Sequence, residues 1–164
     1  MAAGATYEPI ATTTLGSSQT TITFSSISGA YTDLVLIFTG KMVSASTVKF
    51  QFNGDTGSNY SMTRIYSDGS SALSEMYSNG NSGAFGVWRT TNPQYSLISL
   101  QNYSNTTTNK TYLTRDYDDS GIVSARVGLW RNTSAITSIS IIGDGGGADY
   151  AAGSTFTLYG IAAA

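Results

Sequence analysis

The sequence contains neither cysteine nor histidine. Without cysteine there are no disulfides, thiolate metal sites or cysteine nucleophiles. Without histidine the commonest general base and the commonest metal ligand are both missing, so Ser-His-Asp triads and the usual zinc sites are excluded. Charge is also scarce. Asp, Glu, Lys and Arg make up 11% of the 164 residues, against roughly 25% in an ordinary soluble domain. The eight Lys and Arg are scattered singly and the net charge is −2. That distribution argues against nucleic acid, which calls for a basic patch, and against an anionic membrane surface. Long apolar runs are absent too. The longest, Leu34 to Phe38, is far short of the ~20 residues of a spanning helix. Met1 to Pro9 has neither a positive segment nor an apolar core, so it does not read as a signal peptide, and a soluble protein is expected.

What is present is Ser, Thr, Asn, Gly and Tyr, arranged in short alternating runs. The chain is organised around Val48 to Tyr66. Val48, Phe50 and Phe52 alternate with Lys49 and Gln51, and Tyr60, Met62, Arg64 and Tyr66 alternate in the same way. Asn53-Gly54 and Gly57 lie between them and suit a tight turn, so this stretch predicts a β-hairpin or a slightly longer β-connection. Further strands are expected at Ile10–Leu15, Gln19–Ser25, Thr32–Thr39, Phe85–Thr90, Tyr95–Tyr103, Thr111–Arg115, Ala125–Arg131, Ala135–Ile142 and Ser154–Ile161. Leu34 to Phe38 reads as a central strand buried on both faces. Phe85, Val87 and Arg89 are expected on one face of their strand and Trp88 on the other. Thr111–Arg115 should pair with the strand before it. No stretch has sustained helical periodicity. About ten short strands predict an all-β fold, an antiparallel, jelly-roll-like β-sandwich in a single domain over residues 10–164, preceded by a small-residue arm over residues 1–9.

Residues 67–84 carry turn-formers at both ends and predict an exposed loop with its own small structure, in which Ala72 to Tyr77 reads either as a helical turn or as a short strand. Asp68, Glu75, Tyr77 and Asn79 are its candidate binding residues. Asp116, Asp118 and Asp119 form an acidic run that offers oxygen ligands to calcium, but it lacks the Glu and the spacing of an EF-hand loop, and a solvated loop explains it as well. Asp144 and Asp149 flank a glycine run that is better read as a turn than as a phosphate cradle, since no Lys-Ser or Lys-Thr follows. Only two of the ten acids are Glu, at positions 8 and 75, and nothing singles out an acid–base pair for glycoside hydrolysis. Asn-x-Ser/Thr sequons occur at Asn59, Asn102, Asn105, Asn109 and Asn132 and follow from composition. Trp88, Trp130 and the eleven tyrosines suit either a sugar-stacking platform or a β core with wet interfaces; the core is the simpler reading. No catalytic residue, metal or cofactor is therefore assigned.

Several segments together carry a resemblance: Ile10-Ala-Thr-Thr-Thr-Leu-Gly16, Tyr31-Thr-Asp-Leu-Val-Leu36, Phe52-Asn-Gly-Asp-Thr-Gly-Ser-Asn-Tyr60, Gly128-Leu-Trp-Arg-Asn-Thr-Ser-Ala-Ile-Thr-Ser-Ile139 and Thr157-Leu-Tyr-Gly-Ile161. This pattern resembles small virion proteins of tailed bacteriophages, common in phages of aquatic bacteria and cyanobacteria. It spans Ile10 to Ile161, with no match between residues 67 and 94. The resemblance implies a non-enzymatic structural role, with no catalytic residue to carry over. The expected protein is a capsid decoration (cement) protein, a homotrimer bound to the major capsid protein on the virion surface and assembled in the host cytoplasm. Its arm, with Tyr7, Glu8 and Pro9, would strap onto the capsid or a neighbouring subunit. The alternative role is a tail-fibre or receptor-binding module that contacts host glycan. An enzyme using Asp116, Asp118 or Asp119 is a third reading.

Overall fold

The computed structural model describes residues 6–117 and 120–162. Among them are twelve strands: β1 (Tyr7–Thr14), β2 (Thr21–Phe24), β3 (Asp33–Gly40), β4 (Ser46–Phe52), β5 (Tyr60–Ser67), β6 (Ala72–Gly80), β7 (Gly83–Trp88), β8 (Gln94–Gln101), β9 (Lys110–Tyr117), β10 (Val123–Trp130), β11 (Ile139–Gly143) and β12 (Thr155–Ile161). They form an eight-stranded sheet in the order β1-β12-β3-β8-β9-β10-β5-β6 and a four-stranded sheet in the order β2-β11-β4-β7. All neighbours are antiparallel. If β5–β6 and β9–β10 are set aside, the remaining eight strands pair as β1-β12-β3-β8 over β2-β11-β4-β7. That is the strand order of a jelly roll. The fold is thus an all-β jelly-roll sandwich carrying two inserted hairpins. The hairpins extend the large sheet beyond β8 as a four-stranded wing.

The core lies between the layers and is strongly aromatic. Phe38, Phe50, Phe52, Tyr60, Phe85, Trp88, Tyr103, Tyr112, Trp130, Tyr150 and Phe156 are all buried. Phe38 stacks on Trp88 and Phe156, with ring centroids 5.0 and 5.5 Å apart, and meets Phe85 edge-on. Such contacts add to the area each ring removes from water. Both tryptophans are fully enclosed, so neither offers a face to a sugar.

The structure revises several expectations. The Val48–Tyr66 stretch is not a hairpin, because β4 lies in the small sheet and β5 in the large one. Asn53 and Gly54, both at positive φ, turn the chain between layers. Phe50, Phe52 and Tyr60 all reach the shared core, and the Tyr60 hydroxyl accepts a hydrogen bond from the Phe52 N–H at 2.9 Å. Much of the expected 67–84 loop is strand β6, paired along β5. Tyr7, Glu8 and Pro9 belong to β1 rather than to an arm, facing Ile161, Gly160 and Tyr159 on β12. Phe85 and Trp88 are buried together because a bulge opposite Thr47/Lys49 shifts the phase of β7. The strand expected over 135–142 begins only at Ile139; ahead of it Asn53 ties down the chain, its side chain bonding Ala135 O, Thr137 N and Ser138 N.

Candidate functional site

The wing has two faces, and each is a candidate site. Its inner face runs out from under the small sheet and forms a cleft of about 460 Å³ against β7. Lys49, Arg64, Arg89 and Arg126 line it, so one cleft gathers half of the chain's eight cations. Lys49 pairs with Asp144 at 2.8 Å, Arg64 with Glu75 at 3.6 Å, and Arg126 with Asp116.

Glu75 is the centre of one network. Its carboxylate accepts the hydroxyls of Tyr66 at 2.8 Å and Tyr77 at 3.0 Å, and the Arg64 guanidinium lies 3.8 Å over the Tyr66 ring. The side chains meet because β5 and β6 pair Arg64 with Glu75 and Met62 with Tyr77, which puts alternate residues on one face. The bonds from Tyr66 and Tyr77, with Arg64 beside them, hold the Glu75 carboxyl below its ordinary range. The same bonds, with Glu75's negative charge, push both phenols up.

Asp116 is the centre of the other network. It lies inside β9, not in an acidic loop, and is 5% exposed. It pairs with Arg126 and accepts the Ser124 hydroxyl at 2.8 Å, and Ser124 Oγ also accepts from Arg126 at 3.0 Å. β7 crosses directly above at Gly86, where any Cβ would collide with the Asp116 carboxylate. Asp118 and Asp119 lie outside the described residues, as do Met1 to Ala5. Among the described residues no three His, Cys, Asp or Glu converge as a metal site.

The other predicted site residues are dispersed. Asp68 caps the β5–β6 turn, accepting the N–H groups of Ser70 and Ser71 at 2.9 and 2.7 Å. Those bonds hold its carboxyl below the usual range. Asn79, at φ 58, accepts from Arg131 at 3.1 Å at the far end of β6. Glu75 and Tyr77 alone come together. Tyr7, Glu8 and Pro9 sit on the opposite edge of the sheet, with Tyr7 edge-on to Tyr159 at 6.2 Å.

The outer face of the large sheet went unnoticed in the sequence. Cross-strand pairing aligns one row through Val35, Ser99, Leu113, Val127, Thr63 and Met76. A second row runs through Ile37, Leu97, Arg115, Ala125, Ile65 and Ser74. Leu113, Val127, Ile65 and Met76 are 47, 62, 64 and 77% exposed. Arg115 is the one charge in the two rows. Periodicity could not find this face, because on β10 the apolar phase, Val127 and Leu129, points outward, while Arg126, Gly128 and Trp130 point in.

No protein-family model and no curated protein matches the chain. Solved structures similar in outline include the alginate lyase Aly36B, at 10% identity and a TM-score of 0.41, over 92% of this chain and 77% of that one. A mutant of the same lyase in complex with alginate tetrasaccharide gives 9% identity and a TM-score of 0.38, over 87% and 80%. The VP2 subviral particle of infectious bursal disease virus gives 11% and 0.17, over 96% of this chain and 42% of that one. Scores this low say nothing of this chain's activity, and its fold is read from its own strand order.

Proposed function

We propose that this chain is a non-catalytic structural protein of a tailed-phage virion. It is a capsid decoration protein that docks on the major capsid protein through the outer face of its large sheet. The exposed apolar rows of that face carry the reading. The exposed apolar side chains Leu113, Val127, Ile65 and Met76 lie on β9, β10, β5 and β6; with strands about 4.8 Å apart, that part of the face is roughly 14 Å wide and covers on the order of 300 Å². Apolar patches of several hundred Å² on a folded domain mark interaction sites. Arg115 selects the partner. Among the described residues it has no acidic partner, so the counterpart surface carries a carboxylate, without which docking would leave Arg115 buried and unpaired. A second copy docking face to face would bring two arginines and no acid, which favours a different protein. Location on the capsid surface, after assembly in the host cytoplasm, agrees with the resemblance carried by the Phe52–Tyr60 segment.

The cleft supports a second reading, a tail-fibre or receptor-binding module in which Glu75, Tyr77 and Arg64 contact host glycan. Copy number in purified virions separates the two. Near-equivalence with the shell protein is expected for decoration. A few copies per particle moves the protein to the tail, and absence from the particle overturns both. Decoration by Val127→Asp and Arg115→Glu proteins, added to undecorated capsids, is expected to fail while both variants remain folded.

A further inference from the structure

Two arginines near the wing's inner face spend their N–H donors inside the protein. Arg126 gives its own to Asp116 and Ser124, and Arg131 to Ser58, Ser61 and Asn79. Arg64 differs. Its contact with Glu75 spans 3.6 Å, too long for a hydrogen bond, and its Nε is buried without a partner. Glu75 is committed elsewhere, because its two oxygens accept the hydroxyls of Tyr66 and Tyr77. The Arg64 side chain is only 18% exposed, and among the described residues its guanidinium has no hydrogen-bond acceptor. Groups this covered are normally satisfied, so the arginine is short of an acceptor that a ligand would bring.

We propose that the wing cleft binds a carboxylated sugar, with the ligand's carboxylate on Arg64 and its ring against Tyr77. This deepens the glycan reading of the cleft and rests on it. Arg64 lies 3.8 Å over the Tyr66 ring, which fixes the guanidinium in place. A planar fork held in this way matches a carboxylate through two parallel hydrogen bonds. Arg126 lies near enough to repel Arg64, and a further negative charge relieves that repulsion. Lys49, on β4, also lines the cleft and adds to its pull on an anion. Tyr77 supplies the other half of the site. It is 49% exposed, and its hydroxyl is tied to Glu75, so the ring stays beside Arg64 with much of its surface open. An open aromatic ring of this kind suits the apolar face of a sugar. Asn81, exposed at the same cleft, offers an amide to sugar hydroxyls. The 460 Å³ of the cleft is within the range of small-ligand sites.

A printed array that sets uronic-acid oligosaccharides beside their neutral parent sugars and their sulfated forms tests this with the wild-type protein. Retention is expected on uronates and not on the neutral parents. Titration calorimetry with the best-retained uronate follows. Its methyl ester keeps the rings and loses the charge, and should bind roughly ten- to a hundredfold more weakly. Arg64→Lys keeps the charge and loses the fork, and should weaken binding by a similar factor with its melting temperature kept. Tyr77→Ala should also bind weakly, while Tyr77→Phe retains the ring and should bind nearly as the wild type does. Equal retention of the neutral parents, a preference for sulfated sugars, an ester that binds as tightly as the acid, or an Arg64→Lys protein that binds normally overturns the proposal and leaves the glycan reading standing. Retention of no sugar overturns both. Capsid docking uses the opposite face of the sheet and is measured on particles, so it stands or falls separately.

Discussion

Asp55 accepts a hydrogen bond from the indole N–H of Trp130 at 2.6 Å, and this joins the layer-crossing loop to the large sheet. The same carboxylate accepts Gly57 N–H and the Asn59 amide at 2.8 and 2.9 Å. Trp130 is fully buried, so its N–H has no solvent to turn to. Replacing Asp55 with Ala strands that donor, which costs about 1–3 kcal/mol. For a domain of this size that lowers the melting temperature by several degrees in a thermal scan. Asp55→Asn keeps an acceptor and is expected to lose less.

Acid should weaken the fold through the same residue. Burial pushes the Asp55 carboxyl up, but the bonds from Asn59, Trp130 and Gly57 outweigh it, and its folded-state pKa is depressed. A depressed carboxyl contributes stability that is present above its unfolded value, near 4, and lost as pH falls through the folded value. Melting temperature measured down a pH series should drop below about pH 4. The drop should be shallower in Asp55→Asn. With no histidine in the chain, stability should be nearly flat from about pH 5 to 8.

The Asp116–Arg126 pair gives a sharper test of burial. Each side chain is 3% exposed. Asp116→Asn leaves the guanidinium buried without its counter-charge, a change that costs about 3–5 kcal/mol. The double variant Asp116→Asn/Arg126→Gln should recover part of that in chemical denaturation. Gly86→Ala forces a Cβ into the same carboxylate and should destabilise comparably. If Asp116→Asn unfolds like the wild type, the pair is not structural and a chemical role for Asp116 reopens.

On the outer face the expected pattern is reversed. Leu113 is 47% exposed, so Leu113→Lys should leave the melting midpoint within a degree or two, since surface changes cost under about 0.5 kcal/mol. The same substitution should abolish binding to capsids in a co-sedimentation assay. A variant that binds normally would remove this face from the interface.

These contrasts show what the residue order reveals and what it hides. Alternation in Thr21–Phe24 and the Leu34–Phe38 run placed β2 and β3, and Thr111–Arg115 was paired with the right neighbour. Alternation groups residues by face but does not say which face is dry. On β10 the buried phase contains Arg126 and Gly128, because Arg126 meets Asp116 and a Cβ at position 128 would strike the Tyr112 ring. Such reasons lie on other strands. β6 is only half legible: Ala72 to Tyr77 reads equally as a helical turn or a short strand, and the choice lies outside the segment. Its Ser, Asn and Gly are turn-formers by preference, and it is strand only because β5 offers it an edge. Glu75 and Tyr77 were legible as polar residues in an unusual segment. Their convergence with Arg64 and Tyr66 required the register of that pairing.

β12 lies between β1 and β3 in the large sheet, so the strand nearest one end of the described chain closes on the strand nearest the other. Contacts so distant along the chain make for slow assembly, in the millisecond-to-second range typical of β-sandwiches. Until Thr155–Ile161 has been synthesised, β1 has no partner and β3 keeps an open side. A nascent chain is therefore most prone to sticking to its neighbours just before β12 arrives, and the yield of soluble protein is set by how quickly that single insertion wins.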